Sequence, residues 1–239
     1  MKNVLITGGC SGLGKSLSLE FKNNGYNVIA TYCNSKDFLS LKESGIDTYK
    51  CDLTDENSIN DLFNYVRDKY GSIDVLINNA AYEEDSEVSF KTKESFIKTF
   101  DINVFGPFLL TRLFGDLMFE NKSGKIIFIS SNNSINKEDP VTMEYDASKS
   151  AVNSLVKNFA KHYAPYVMVN AIAPGWILTD RVIKQNSDLD GMLEKEESKK
   201  ILLNRFASTE DISNLLLFMA SDKCNYIDGE IIRIDGGNR

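Results

Sequence analysis

The chain has 239 residues, 42% hydrophobic and 26% charged, with 34 acidic against 27 basic side chains and a formal net charge of -7. That balance describes a soluble globular protein and excludes a disordered or fibrous one. The acidity, with lysines scattered rather than striped, argues against nucleic acid or an anionic membrane as partner, because both demand a dense basic face.

The first predicted strand covers 3–7, where Val4, Leu5 and Ile6 form an apolar run that Gly8 and Gly9 stop, too short for a signal peptide or a membrane span. Thr7-Gly8-Gly9-Cys10-Ser11-Gly12-Leu13-Gly14 follows at once, and an amphipathic helix is expected over 13–23. Glycine is needed where backbone turns tightly against a pyrophosphate, and the helix start behind it offers free N–H groups and a positive dipole end. Set between strand and helix, Gly8, Cys10, Ser11, Gly12, Leu13 and Gly14 read as a dinucleotide cradle, although glycine turns have other uses.

The second strand, over 27–31, runs into Tyr32-Cys33-Asn34-Ser35-Lys36. An acid at this turn would accept ribose hydroxyls and repel a phosphate. None is present, so Tyr32, Asn34, Ser35 and Lys36 lead us to expect NADP(H) in preference to NAD(H). A helix over 35–44 and a third strand over 47–51 lead to Asp52 and Leu53, where the acid either accepts from adenine or belongs to a helix N-cap with Thr54 and Asp55. After a helix over 56–70, a fourth strand over 75–77 closes on Asn78-Asn79-Ala80-Ala81, small residues and amides that suit passage under a ribose or an ordinary turn. Asn103 lies within a long helix expected over 94–119, as a buried amide in need of a partner.

The fifth strand, over 125–130, contains the unbroken run Ile126-Ile127-Phe128-Ile129 and is expected mid-sheet. Ser130 and Ser131 follow, where a hydroxyl can bind a substrate oxygen. The polar loop over 132–139 either lines a pocket for a hydroxylated or sugar-like substrate or is plain solvated surface. A helix over 145–163 sets Tyr145 and Lys149 four residues apart on one face. A tyrosine with a pKa of about 10 is a poor acid/base near neutrality unless positive charge stabilises its phenolate, and Lys149 could supply that charge.

A sixth strand over 167–172, a polar stretch over 180–204 that reads equally as a substrate lid or a surface insertion, a helix over 210–221 and a last strand over 231–234 complete the chain. With no linker or repeat, this predicts one α/β domain, a doubly wound seven-stranded parallel sheet flanked by helices. Four cysteines without C-x-x-C pairing and a single histidine leave no zinc-ligand spacing.

Taken together these residues resemble the classical short-chain dehydrogenases/reductases. The shared elements are T-G-x-x-x-G-x-G at 7–14, N-N-A at 78–80, Asn103, Ser131, Y-x-x-x-K at 145–149, P-G-x-x-x-T at 174–179 and the closing Ile234-Asp235-Gly236-Gly237. The resemblance implies a Rossmann fold and NAD(P)-dependent hydride transfer between the nicotinamide and a small carbonyl or alcohol. It implies Tyr145 as general acid in reduction and base in oxidation, and Lys149 as the group that lowers its pKa and holds the nicotinamide ribose. Ser131 would then bind the reacting carbonyl and Asn103 would anchor a relay water. Asn79, Ala80, Ala81, Pro174, Gly175, Ile177 and Thr179 would border the cofactor. A cytoplasmic homo-oligomer, tetramer or dimer, paired through its long helices is also implied.

Two departures stand out. Ala81 replaces the usual glycine after N-N-A, and 14 positions separate Ser131 from Tyr145, about one more than is common, which keeps Ser130 as an alternative. Among relatives the carboxy-terminal pattern looks most like 3-oxoacyl-[acyl-carrier-protein] reductases. An acidic carrier needs a basic site mouth, however, and Pro165-Tyr166 stand where such enzymes often carry an arginine. A non-catalytic dinucleotide sensor or scaffold is the alternative of a different class, and joint retention of Asn103, Ser131, Tyr145 and Lys149 argues against it.

Overall fold

Most strands are short and apolar, and helical chain between successive strands carries the backbone back across the sheet, so every neighbouring pair lies parallel. A computed structural model describes residues 1–238. Its strands are β1 (Asn3–Ile6), β2 (Asn27–Tyr32), β3 (Asp47–Lys50), β4 (Val75–Asn78), β5 (Gly124–Ile129), β6 (Val167–Pro174) and β7 (Ile231–Ile234), in the spatial order β3-β2-β1-β4-β5-β6-β7. The order reverses between β1 and β4. A doubly wound sheet opens a crevice beyond the strand ends at that point, and ligands bind there.

The helices are α1 (Gly12–Asn23), α2 (Phe38–Glu43), α3 (Glu56–Tyr70), α4 (Lys93–Phe100), α5 (Gly106–Glu120), α6 (Met143–Tyr163), α7 (Asp180–Asp188), α8 (Met192–Glu197) and α9 (Thr209–Ala220). Side chains alternate across each strand and divide the core in two. Leu5, Leu76, Ile126 and Phe128 pack with Leu62, Phe114 and Val156 of α3, α5 and α6. Val4, Ile6, Ile77 and Ile127 pack with Leu17, Phe21, Ile212 and Leu216 of α1 and α9 on the other face. β5 is buried throughout, as its unbroken apolar run requires.

The helix expected over 94–119 is interrupted. Asp101–Phe105 form a π-turn between α4 and α5, closed by the Gly106 N–H donating to the Asp101 carbonyl. The wider turn aims Asn103 into the interior, where its residue is 1% exposed, and such turns concentrate at functional sites. Gly106 then lies hard against the chain after β3. A Cβ there would come within 2.7 Å of the Leu53 carbonyl oxygen, so glycine alone fits. By length and composition the run Lys93–Glu120 could cross a bilayer, but half of its apolar window is buried, and it is a core helix. The polar stretch after β6 folds as α7, α8 and a 3-10 turn at Ser198–Lys200.

Candidate active site

Thr7 staples the ends of β1 and β4 at the crevice. Its hydroxyl accepts from the amides of Asn79 and Ala80, both at 3.0 Å, while the Asn79 side chain donates to the Thr7 carbonyl at 2.8 Å. The neighbouring Asn78 side chain donates to Thr111 of α5 at 3.0 Å. The glycine loop is therefore closed on its sheet side: a Cβ on Gly14 would lie 2.2 Å from the Gly8 carbonyl oxygen. It is open on the cleft side, since nothing lies within 4 Å of a Cβ on Gly12, whose φ is +48°. A cradle tight behind and open in front fits a pyrophosphate at the start of α1. Gly14→Ala is expected to weaken nicotinamide-dinucleotide binding at least tenfold, about 1.4 kcal/mol, in a fluorescence titration; an unchanged Kd would remove the cradle from this role.

The other cofactor candidates divide by what their side chains do. Ser11 precedes α1 without a side-chain cap bond, and Leu13 packs against the α1 and α9 core. The Cys10 thiol is buried and pushed up to about 11 by burial and by the Asp37 charge, while its carbonyl accepts from the Ser35 hydroxyl at 2.9 Å. Tyr32 stacks on Phe38 at 4.3 Å, and Asn34 and Lys36 are exposed. Sequence reasoning missed Lys15 and Asp37, which form an ion pair of 2.9 Å beside the loop. Asp52 closes a local turn by accepting from the Thr54 amide and hydroxyl at 2.9 and 2.8 Å. Asp55 is the cap of α3. Leu53 is buried under Gly106, and Ala81 is exposed.

At the chemical end, Lys149 of α6 crosses to β5, where its ammonium donates to the Ile129 carbonyl at 2.7 Å and lies 5.4 Å from the Tyr145 ring centroid. Burial brings its pKa down to about 8, opposed by the charge of Glu83. Burial also raises the Tyr145 phenol above its ordinary range, the Glu83 charge adds to that, and a hydrogen bond with Ser131 acts against it. Burial outweighs Ser131 and the charge of Arg181, and Tyr145 stands protonated at neutral pH.

Consecutive strand residues face opposite ways, which separates the two serines. Ser130 donates to Asn153 of α6 at 2.7 Å, whereas Ser131 faces Tyr145. Between Ser131 and Tyr145 the chain forms 3-10 turns at Asn132–Ser134 and Pro140–Thr142. The loop over 132–139 is neither wholly lining nor wholly solvated. Asn132 is buried, Asn133 donates to Asp146 at 2.9 Å, and Glu138 and Asp139 are exposed.

The side chain of Asn103 is committed to protein. It accepts from the Tyr82 amide at 2.7 Å and donates to the Tyr82 carbonyl at 2.9 Å and to Ser148 at 3.0 Å. Pro174 ends β6, and Gly175 packs against Asp235, 3.0 Å from where a Cβ would stand. Ile177 bridges to Ala207, and Thr179 caps α7 by accepting from the Val182 amide. Two further side chains, absent from the sequence-based set, lie at the mouth: Glu83, and Arg181 of α7 at 3.7 Å from it.

The family described as enoyl-(acyl carrier protein) reductase matches residues 8–239. The chain belongs to the classical short-chain dehydrogenases/reductases. It is 34% identical to the 3-oxoacyl-[acyl-carrier-protein] reductase FabG of Thermotoga maritima, over 99% of this chain and 97% of that one. Among solved structures, ElxO with NADP bound superposes with a TM-score of 0.92 at 31% identity, covering 99% of this chain and 98% of the other. Levodione reductase superposes at 0.91 with 27% identity, covering 99% and 96%. Membership of this family makes the short-chain dehydrogenase an oxidoreductase acting on C=O and CH–OH groups with a nicotinamide cofactor.

Proposed function

We propose that this enzyme is an NADP(H)-dependent reductase of small carbonyl compounds in which Tyr145 donates the proton. The observation that carries the reading is the geometry at the start of α6, where the Lys149 ammonium, fixed by its 2.7 Å bond to the Ile129 carbonyl, lies 5.4 Å from the Tyr145 ring centroid, while burial keeps the phenol protonated. When bound, the nicotinamide supplies or accepts the hydride. Tyr145 gives its proton to the carbonyl oxygen in reduction and takes one back in oxidation. Ser131 orients that oxygen, and Lys149 restores the phenol's proton and holds ribose hydroxyls. Asn103 is a positioning residue, because its amide is spent on Tyr82 and Ser148.

Gly8, Ser11, Gly12, Leu13 and Gly14 hold the pyrophosphate. Asn79, Ala80 and Ala81 run under the nearer ribose, and Pro174, Gly175, Ile177 and Thr179 border the nicotinamide. The segment with α7 and α8 is the substrate lid. NADP(H) is favoured because Lys36 is exposed just beyond β2 and Lys15 neutralises Asp37, an acid there that would otherwise repel a 2′-phosphate; the NADP-bound relative supports the same choice. Lys36→Ala is expected to weaken NADPH binding about tenfold, the scale of one charge-assisted hydrogen bond, and to leave NADH within about twofold. Equal losses for both dinucleotides in a fluorescence titration would overturn the assignment.

A carrier-borne thioester, the substrate named for the Thermotoga maritima relative, suits this site less well. Glu83, Glu84, Asp85 and Glu87 crowd the mouth and repel an acidic carrier. Phe105, Phe108 and Phe119 are exposed along the π-turn and α5, a face suited to pairing long helices in a homo-oligomer, which light scattering tests. Free thiols at Cys10, Cys33, Cys51 and Cys224 fit a reducing cytoplasm.

A further inference from the structure

The chain between β4 and α4 passes over the mouth of the site, and Asn103 fixes its course by taking both polar groups of the Tyr82 peptide. The Tyr82 ring turns outward, where its hydroxyl donates to Glu84 and accepts from Lys98 at 2.8 Å. Glu83, the next side chain, turns inward. It is only 33% exposed, and its ion pair is the 3.7 Å contact from Arg181, a side chain 64% exposed on α7.

That leaves a carboxylate half out of water, held by one long and screened contact. Burial and the charge of Asp85 push the Glu83 carboxyl up, while Arg181 and Lys149 hold it down. Asn103 also donates to Ser148 at 3.0 Å, and the Ser148 hydroxyl donates to the Tyr145 carbonyl at 2.7 Å, so the strap that carries Glu83 is tied to the turn of α6 that carries Tyr145. A desolvated acceptor of this kind is costly to leave without a donor. An anionic substrate group would meet Glu83, Asp85 and Asp146 together. An ammonium would have to compete with Arg181. A hydroxyl donates to the carboxylate and leaves the pair with Arg181 in place.

We propose that Glu83 is a specificity-determining residue that accepts a hydrogen bond from a substrate hydroxyl one or two carbons from the carbonyl, so that the preferred substrates are hydroxylated ketones and aldehydes. The inference rests on the small-carbonyl reading above. Arg181 keeps the carboxylate ionised and brings α7 over the bound hydroxyl.

Three ketones separate hydrogen bonding from reactivity: 3-hydroxybutan-2-one, 3-methoxybutan-2-one and butan-2-one. The methoxy compound keeps the electron-withdrawing oxygen and loses the donor. The wild type is expected to favour the hydroxy over the methoxy ketone at least tenfold in kcat/KM. Glu83→Leu should bring that ratio to about one and Glu83→Gln to an intermediate value, because an amide oxygen still accepts. Glu84→Gln, at an outward side chain, should keep the wild-type ratio, and NADPH affinity reports that each variant is folded. A wild-type ratio near one, or a ratio that survives in Glu83→Leu, overturns the inference. If the wild type oxidises NADPH with no small ketone at all, the small-carbonyl reading falls and takes this inference with it; turnover at a ratio near one removes the role of Glu83 alone.

Discussion

Tyr145→Phe is expected to lower turnover by about 10³-fold while NADPH binding stays within about twofold of the wild type. General acid–base groups contribute on the order of 10²–10⁴, and in the proposed mechanism the lost group is the one that meets the reacting oxygen. The ring remains to fill its place at the start of α6, so folding should be intact. Single-turnover reduction with NADPH measures the chemical step directly. A variant retaining more than about a tenth of wild-type turnover would remove Tyr145 from the proton-transfer role.

The second large effect concerns Lys149. Burial disfavours its ammonium, so the proton is lost at about pH 8, well below the ordinary lysine range. The charged form, which in the proposed mechanism restores the phenol's proton, is present below that pH and lost above it. Wild-type kcat/KM for reduction should therefore fall as pH rises through about 8. Lys149→Met should cost about 10²-fold or more at pH 7 and abolish this alkaline limb. Stability should move the other way. A lysine whose folded pKa is depressed destabilises the fold most below that pKa, so the methionine variant should melt no lower than the wild type at pH 7. An alkaline limb that persists in Lys149→Met would assign the titration to another group.

Much of this was open to reading from the chain because the governing constraints are local. β7 lies at the residues expected, and β5 is as buried as four successive apolar side chains demand. Glycines marked the cradle because no Cβ is tolerated against the Gly8 carbonyl, a demand that leaves its trace at one position.

What stayed hidden is set by contacts between distant segments. Glu83 and Arg181 meet across the mouth, and Lys15 meets Asp37 from another turn of chain; no local pattern announces either pair. The depression of Lys149 and the elevation of Tyr145 follow from how deeply the finished fold buries them, whereas a Y-x-x-x-K spacing announces only that charge and phenol are near. The break in the long helix did leave a mark, Gly106-Pro107, which the continuous apolar period over 94–119 masked.

A π-turn is an α-helix carrying one residue more than its turn requires, and each residue of an α-helix advances the direction of a side chain by about 100°. The segment Asp101–Phe105 therefore works as a spacer that sets the direction of Asn103. Remove a residue beside Asn103 and the helix would close into regular α, Asn103 would swing away from Tyr82, and the strap that carries Glu83 would lose its anchor. Exchange a side chain facing solvent, such as Phe105, and the register is kept. At this place position is written in length: side chains that face solvent can be exchanged, whereas Asn103 itself and the number of residues around it cannot.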